Sequence, residues 1–410
     1  MELKESIGIT GIIKRIEEFY NEHVLPREKA LAYRFDDSIL SLDDKGLLNP
    51  EIWAAKKEIM KLSGEAGLYS LHLPTSVGGG GLDRAEMLLV EEKVYSYGYR
   101  LNPAILSWSE GATPRVIWCG DHQREQFVDP LVRGTKTSFH GVTEREAGSN
   151  LFDMKTHAVE RNGDWVLNGA KSYITNAFYS DVAQVLCITD PGKGKKSFSY
   201  FQFDTAEYLK KGFRRGKLQQ TMWDDGFTGE VHFEDVVLPA AAMIGERGQG
   251  FEIAMSSINW TRLRRGGMCS GWSKLLIDAT IDRAQNRIIN GKPLGSRQGI
   301  QWMVSDMYLD WFQARALSLQ VANDLNDPGP WWRMPRSQEE IRKICLVKLA
   351  NDEAFYRVAD RALQIHGASG VMKNSIINKL FLIARNFRIP GGSDEVQRTT
   401  IAETLGLKDR

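Results

Sequence analysis

The sequence predicts an α+β protein in which helices come first, a β domain follows and helices return. Up to about residue 134 the apolar residues recur mostly at helical spacing. Between about residues 137 and 246 the period changes to two, which is typical of half-buried strands, and from Phe251 onward it is helical again. A doubly wound fold would alternate helices and strands, so this segregated order favours the α+β class.

These changes of period predict three domains: a helical domain over residues 1–136, a β domain over 137–246 and a helical bundle over 247–410. A chain of 410 residues is long enough for such domains to bury large cores. In the first domain, the amphipathic stretches Glu51–Leu62 and Arg84–Tyr97 predict helices. Glycines 78–81 predict a flexible turn, because no Lys-Ser/Thr pair follows them as it would in a phosphate-binding loop.

The second domain carries strand and turn patterns. Asn162-Gly163 predicts a type I′ hairpin turn between two alternating segments, and Val182–Ile188 predicts a buried strand. Residues 197–203 and 230–233 alternate like half-buried strands. Residues 245–250 predict a turn into the next helix, because their glycines do not have the spacing of a dinucleotide-binding loop. In the third domain, residues 341–362 predict a long helix with one buried face.

Composition excludes several classes of function. Lys+Arg 53 against Asp+Glu 52 leaves the chain nearly neutral, which argues against a nucleic-acid or anionic-membrane partner. No apolar run reaches the length of a membrane span, and the N-terminus lacks the pattern of a secretory signal, so we expect a cytoplasmic protein. The four scattered cysteines predict reduced thiols, and the seven histidines form no metal-binding pattern.

Four segments identify a candidate family. They read VTEREAGS at 142–149, YITN at 173–176, LQIHGASG at 363–370 and IPGGSDEVQR at 389–398. Their order and spacing resemble the flavin-binding segments of the acyl-CoA dehydrogenase family over nearly the whole chain, and the last segment is most similar to the long- and branched-chain subgroup. The resemblance implies FAD, an antiparallel middle β domain, a C-terminal four-helix bundle, and a homodimer or homotetramer with FAD partly at a subunit interface.

Cofactor contacts are carried over by position. The resemblance assigns them to His140, Val142, Thr143 and Ser149 in the first loop, Tyr173 and Thr175 in the second, Arg287 and Gln298 facing the neighbouring subunit's FAD, Gln364, Gly367 and Ala368 at the phosphates, and Ser393 and Glu395 near the adenosine end. Taken alone, a Thr and a Tyr in a strand are ordinary strand formers, and Gly367 is an ordinary helix C-cap. Ser149 and Arg262 are assigned to the substrate.

The catalytic base is the point at which the chain departs from the family. Gly391 stands where most members carry the catalytic Glu, and Thr261, directly before Arg262, stands at the alternative base position. Neither can abstract a proton. Glu110 aligns with the substrate-facing helical segment and is the nominated base, although an exposed structural carboxylate is the competing interpretation. Asp394 and Glu395, beside Gly391, are the other candidate bases, with structural roles at a helix N-terminus and at the cofactor as the competing interpretations.

The resemblance implies FAD-dependent α,β-dehydrogenation of an acyl-CoA or acyl-carrier thioester, here with a non-standard base. Such a reaction needs a hydride acceptor near Cβ and a base at Cα. An electron acceptor such as an electron-transfer flavoprotein is the expected partner. Two alternatives stay open: a member that does not abstract a Cα proton, acting by enoyl-CoA reduction or by elimination from a 3-substituted acyl-CoA, and a non-catalytic flavoprotein.

Overall fold

A computed structural model describes residues 3–36, 40–108, 110–222, 226–325, 335 and 337–407, with side chains from residue 8 onward. The helices are α1 (Leu3–Phe19), α2 (Leu25–Ala30), α3 (Ala32–Phe35), α4 (Pro50–Glu65), α5 (Arg84–Tyr95), α6 (Asp129–Val132), α7 (Thr205–Tyr208), α8 (Gly250–Asn286), α9 (Gln298–Asp324), α10 (Gln338–His366), α11 (Ile376–Phe387) and α12 (Asp394–Thr404). The strands are β1 (Ser138–Gly141), β2 (His157–Arg161), β3 (Asp164–Thr175), β4 (Val182–Ile188), β5 (Phe198–Asp204), β6 (Phe213–Leu218), β7 (Thr228–Leu238), β8 (Met243–Ile244), β9 (Ile288–Ile289) and β10 (Lys292–Pro293).

The N-terminal region is helical, and both predicted amphipathic helices are present as α4 and α5. Pro50 opens α4 behind Asn49, whose side chain accepts a hydrogen bond from the first turn. Asp83 and Glu86 form a capping box at the start of α5. The predicted boundaries after residues 136 and 246 fall between α6 and β1 and between β8 and α8, and they stay predictions.

The middle region is one eight-stranded sheet in the order β6-β7-β3-β2-β4-β5-β8, with β1 paired to β4. The predicted hairpin is present between β2 and β3, with positive φ at Asn162 and Gly163. The expectation of an antiparallel domain needs a correction, because β1 and β2 both run parallel to β4. The β2–β3 hairpin lies between β1 and β4 in the chain. Because β3 runs antiparallel to β2, the chain changes direction there, and β4 then runs parallel to both β1 and β2.

The burial of β5 is a second correction. Residues 197–203 were expected to be half-buried, but every residue from Phe198 to Phe203 is buried. Phe201 and Phe203 pack in the core of the sheet, whereas Phe198 and Tyr200 pack against the first turns of α8. A strand covered on both faces can carry apolar residues on both of them, here Phe198 and Tyr200 on one and Phe201 and Phe203 on the other, which weakens the alternation.

The C-terminal region confirms the four-helix bundle, formed by α8, α9, α10 and α11, with α12 packed on α10. The turn at residues 245–250 leads into α8 as expected, and α10 contains the predicted helix 341–362. The 37-residue α8 contacts α5, the bundle and the sheet, and thereby joins the three regions. None of the helices in the described ranges combines the length and the apolar character that crossing a bilayer requires.

Candidate active site

A cleft of about 410 Å³ lies where the sheet meets the bundle. Its walls come from β1 and the loop after it, the end of β3, the first half of α8 and the turn that precedes α12. Clefts of a few hundred Å³ at the junction of domains are typical cofactor and substrate sites.

The structure brings the two predicted flavin loops together on this cleft. All six of their assigned residues line it, namely His140, Val142, Thr143, Ser149, Tyr173 and Thr175. A register shift between β3 and β7 places Tyr173 at φ 60°, and its backbone N–H donates to Gln219 at 2.7 Å. Irregularities of this kind re-aim side chains beside functional sites, and they leave the Tyr173 ring exposed on the cleft.

A buried ion pair fixes the first loop. The Glu144 carboxylate accepts from Lys171 Nζ at 2.9 Å and from the backbone N–H groups of Lys155 and Thr156 at 2.8 and 3.0 Å. Burial raises the pKa of the Glu144 carboxyl, but the Lys171 ammonium and these hydrogen bonds outweigh burial and lower it below its usual range. Lys171 also donates to the Val142 carbonyl at 3.1 Å, so the loop is held from inside the sheet.

Both unusual base positions, Thr261 and Gly391, lie on the same cleft, with Arg262 beside them. The Gly391 carbonyl accepts from Arg262 Nε at 2.8 Å and from Gln397 Nε2 at 3.4 Å. A Cβ atom at residue 391 would meet nothing within 4 Å, although φ is 78° there. Of the residues that line the cleft in the described part of the chain, none is an Asp or a Glu.

The nominated carboxylates lie elsewhere. Glu110 is buried and does not line the cleft. Its backbone carbonyl accepts a hydrogen bond from the Ser138 N–H at 2.6 Å. Burial raises the pKa of the nearby Tyr69 phenol, and the charge of Glu110 is the second cause of that rise. Asp394 is buried and ion-paired with Lys348 at 3.2 Å. Glu395 is exposed in the first turn of α12.

The remaining predicted cofactor residues do not reach this cleft within one chain. Arg287 directly follows α8, Gln298 starts α9, and residues 364–368 span the end of α10 and the turn after it. Arg283 Nη2 donates to the His366 carbonyl at 3.2 Å, which ties the end of α8 to the end of α10. Ser393 caps α12, next to the cleft-lining turn but not part of its wall.

Several cleft residues were not predicted from the sequence. Thr113 and Ser257 line it with their hydroxyl oxygens 3.4 Å apart, and Arg115 and Trp260 line it too. Arg115 Nε donates to Gln184 Oε1 at 2.7 Å on β4. The one local signal was a lone Arg inside the largely apolar run ATPRVIW at 112–118.

Comparison with known proteins agrees along the chain. Models of the N-terminal, middle and C-terminal domains of acyl-CoA dehydrogenase match residues 12–135, 140–236 and 248–406. Acryloyl-CoA reductase (NADH) of Anaerotignum propionicum is 31% identical over 85% of this chain and 86% of its own. The mitochondrial short-chain specific acyl-CoA dehydrogenase of Sus scrofa is 30% identical over 84% and 82%. The structure of butyryl-CoA dehydrogenase from Megasphaera elsdenii aligns with a TM-score of 0.79 at 25% identity, covering 97% of both chains.

The Glu144–Lys171 pair makes the first prediction. Glu144→Gln leaves the Lys171 ammonium buried without its counter-charge, and breaking a buried pair costs about 3–5 kcal/mol of unfolding free energy. Because folding lowers the pKa of Glu144, its contribution is complete above the ordinary carboxyl pKa of about 4.3 and is lost as the pH falls further. Urea unfolding of variant and wild type at pH 7 and pH 3 measures both effects. Glu234→Gln, which breaks an exposed pair with Arg214, is the control, and an equal loss in both variants would contradict the prediction.

Proposed function

Since this chain belongs to the acyl-CoA dehydrogenase family, we propose that it transfers hydride between FAD and Cβ of an acyl thioester, carried by coenzyme A or by an acyl carrier. The protein is an FAD-dependent oxidoreductase of this family. The observation that supports the finer proposal is the single cleft on which both predicted flavin loops meet Thr261, Arg262 and Gly391.

The residues on the cleft suit a flavin. When bound, FAD accepts or supplies the hydride. The Thr143 and Thr175 hydroxyls can hydrogen-bond to its ring system, and the Tyr173 ring can cover one face. His140 and Arg115 also line the cleft, and His140 Nε2 and Arg115 Nη2 are buried without a hydrogen-bond partner among the described residues.

The thioester has its own candidates on the other wall. We assign Ser149 and Arg262 to it, because both line the cleft and the Arg262 side chain already holds the Gly391 turn. Oxidation needs a group that takes the Cα proton, and reduction needs one that returns it, so the same position serves both directions. With no carboxylate among the described lining residues, dehydrogenation here uses a non-standard base.

Enoyl-thioester reduction is the second candidate. The similarity to an acryloyl-CoA reductase and the absence of a carboxylate from the described cleft wall favour it. In the reductive direction, hydride addition at Cβ leaves an enolate, and water can protonate it at Cα. In the oxidative direction, water would have to act as the base and remove the very weakly acidic Cα proton. In either direction, an electron-transfer flavoprotein is the proposed electron partner.

Placing a carboxylate at residue 391 tests the reaction. A Glu there has open space, and its left-handed φ costs about 1–2 kcal/mol in stability. If the family reaction is limited by its missing base, Gly391→Glu should accelerate bleaching of the flavin by a saturated acyl-CoA about 10²–10⁴-fold. Anaerobic stopped-flow mixing with a series of acyl-CoA and enoyl-CoA chain lengths measures it.

The matched control is Gly406→Glu, which has the same left-handed strain and the same open space but lies beyond α12, off the cleft. Equal rates in the two variants would contradict a base-limited dehydrogenation. Oxidation of the reduced flavin by enoyl-CoA, without bleaching by saturated thioesters, would favour the reductase.

Glu110→Gln tests the base that the sequence nominated. Because Glu110 is buried and does not line the cleft, we expect the variant to retain FAD and to turn over within about twofold of wild type. A loss of about 10²-fold or more at unchanged FAD content, in single-turnover measurements, would instead establish Glu110 as the base.

We propose a homodimer or homotetramer in which the partner's Arg287 and Gln298 complete the FAD site. One face of α9, the helix that begins at Gln298, exposes Trp302, Tyr308, Leu309 and Phe312, with Trp302 at 62%. Exposed apolar side chains concentrated on one helix face are typical of a protein–protein interface. This face covers about the first half of α9, and the exposed Arg287 directly follows α8.

Arg287→Ala should therefore weaken FAD binding about 10- to 100-fold, since a charge-assisted hydrogen bond contributes about 1.5–3 kcal/mol. Fluorescence titration of the apoprotein with FAD measures the affinity. Arg214→Ala, which removes an exposed Arg on β6, should change nothing. A monomer by light scattering that is fully loaded with FAD would contradict the shared site.

A further inference from the structure

Arg115 is a buried cation that lacks a carboxylate partner among the described residues. Its side chain is 1% exposed, and no ion pair involves it. Arg264 and Arg265, which are buried equally deeply, meet Glu91 and Asp352. Because a charge buried without a counter-charge is unfavourable, Arg115 is the one of these three whose placement needs another explanation.

The contacts of Arg115 leave part of its guanidinium unused. Nε donates to Gln184 Oε1, and the Gln184 amide donates on to Gln202 Oε1 at 3.3 Å, so the side chain is held from β4. Nη2 is buried and has no partner in the described part of the chain. Arg115 lines the cleft, so a ligand there can meet it.

His140 supplies a second donor beside it. Burial raises the pKa of Tyr200, so its hydroxyl keeps its proton, and it is hydrogen-bonded to His140 Nδ1. Burial, and then the positive charges of Arg115 and Lys171, hold the pKa of His140 well below its usual range. The imidazole is therefore neutral. When the Tyr200 hydroxyl donates to Nδ1, the ring proton lies on Nε2, and Nε2 also has no partner among the described residues.

Both donors lie on the sheet side of the cleft, where His140 shares a wall with Val142 and Thr143. Arg115 and Arg262 line the cleft and no Asp or Glu does so among the described residues, so the charged side chains of the lining are cationic. A permanent cation and a neutral imidazole on the lining of one cleft suit a planar acceptor whose negative charge appears during the reaction.

We propose that Arg115 and His140 hold the pyrimidine edge of FAD, at N1 and the C2 carbonyl oxygen, and stabilise the negative charge of the reduced flavin. When bound, FAD would take the hydride, with both electrons of the broken Cβ–H bond, at N5. Arg115, which keeps its proton, and His140 would then stabilise the negative charge that the reduced ring carries at N1 and the C2 oxygen. The inference rests on the proposed flavin site and adds a role for a residue that the family resemblance did not assign.

The test compares Arg115→Met with Arg115→Lys, which keeps the charge at the same position. In the FAD-loaded proteins, Arg115→Met should lower the affinity for reduced relative to oxidised flavin at least tenfold, which for two electrons lowers the midpoint potential by about 30 mV. Sulfite, whose N5 adduct also leaves negative charge on the pyrimidine, should bind at least tenfold more weakly. Arg115→Lys should recover part of both changes, and Arg214→Met, an exposed Arg of the same sheet, should show neither.

An FAD-loaded Arg115→Met protein with unchanged potential and unchanged sulfite affinity would overturn the inference and leave the proposed function intact. Unchanged flavin properties with a loss of binding confined to acyl-CoAs that end in a carboxylate would overturn it in favour of a substrate subsite. A wild-type protein that binds no FAD would overturn the proposed function and the inference together. If Arg115→Met does not fold, the wild type still decides, because a holoprotein that forms no adduct at millimolar sulfite contradicts the inference.

Discussion

The buried ion pair between Glu91 on α5 and Arg264 on α8 is the interaction on which the cleft depends. It joins the N-terminal helices to the bundle, and both side chains are almost completely excluded from solvent. Arg264 also donates to the Ser107 carbonyl at 3.0 Å and lies 4.4 Å from the ring of Trp260, which forms part of the cleft wall. Removing either charge would leave the other buried and alone, so the relative position of α5 and α8 is strongly specified.

The neighbouring arginines extend this constraint to the turn that carries Gly391. Arg262 holds the Gly391 carbonyl, and Arg265 pairs with Asp352, which in turn pairs with Lys348 at 2.8 Å. Lys348 also meets Asp394, directly after the turn. The backbone around residue 391 is therefore fixed by charges that do not involve a catalytic carboxylate. Because of this, the family's base can be absent while the shape of the cleft persists.

Local patterns predicted the elements well but not their surroundings. The Asn162-Gly163 turn, α5 and β4 follow from periodicity and turn chemistry, which are local properties. The parallel pairing of β1 and β2 with β4 and the double burial of β5 depend on how distant segments pack. An alternating pattern reports which faces of a strand are apolar, but not the direction of the neighbouring strand.

The site shows the same division. The residues on the two flavin loops were predicted because motif resemblance fixes them, and they meet on one cleft. Arg115 was missed because the residues near it in sequence give no sign of its contact. Its hydrogen-bond partner, Gln184, lies almost 70 positions later in the chain. Arg287 and Gln298 were predicted for a partner subunit, and they do lie outside the cleft of their own chain.

Hydride transfer and proton transfer place different electrostatic demands on one cleft. An unpaired guanidinium beside the flavin loops favours negative charge, and so favours the flavin as a hydride acceptor. A carboxylate at residue 391 or 261 would assist the proton step, but it would also place a negative charge on the same cleft as that guanidinium. With Gly391 and Thr261 in those positions, no carboxylate among the described lining residues opposes the charge of the guanidinium. The proposed departure of this chain from its family therefore concerns the proton step at Cα.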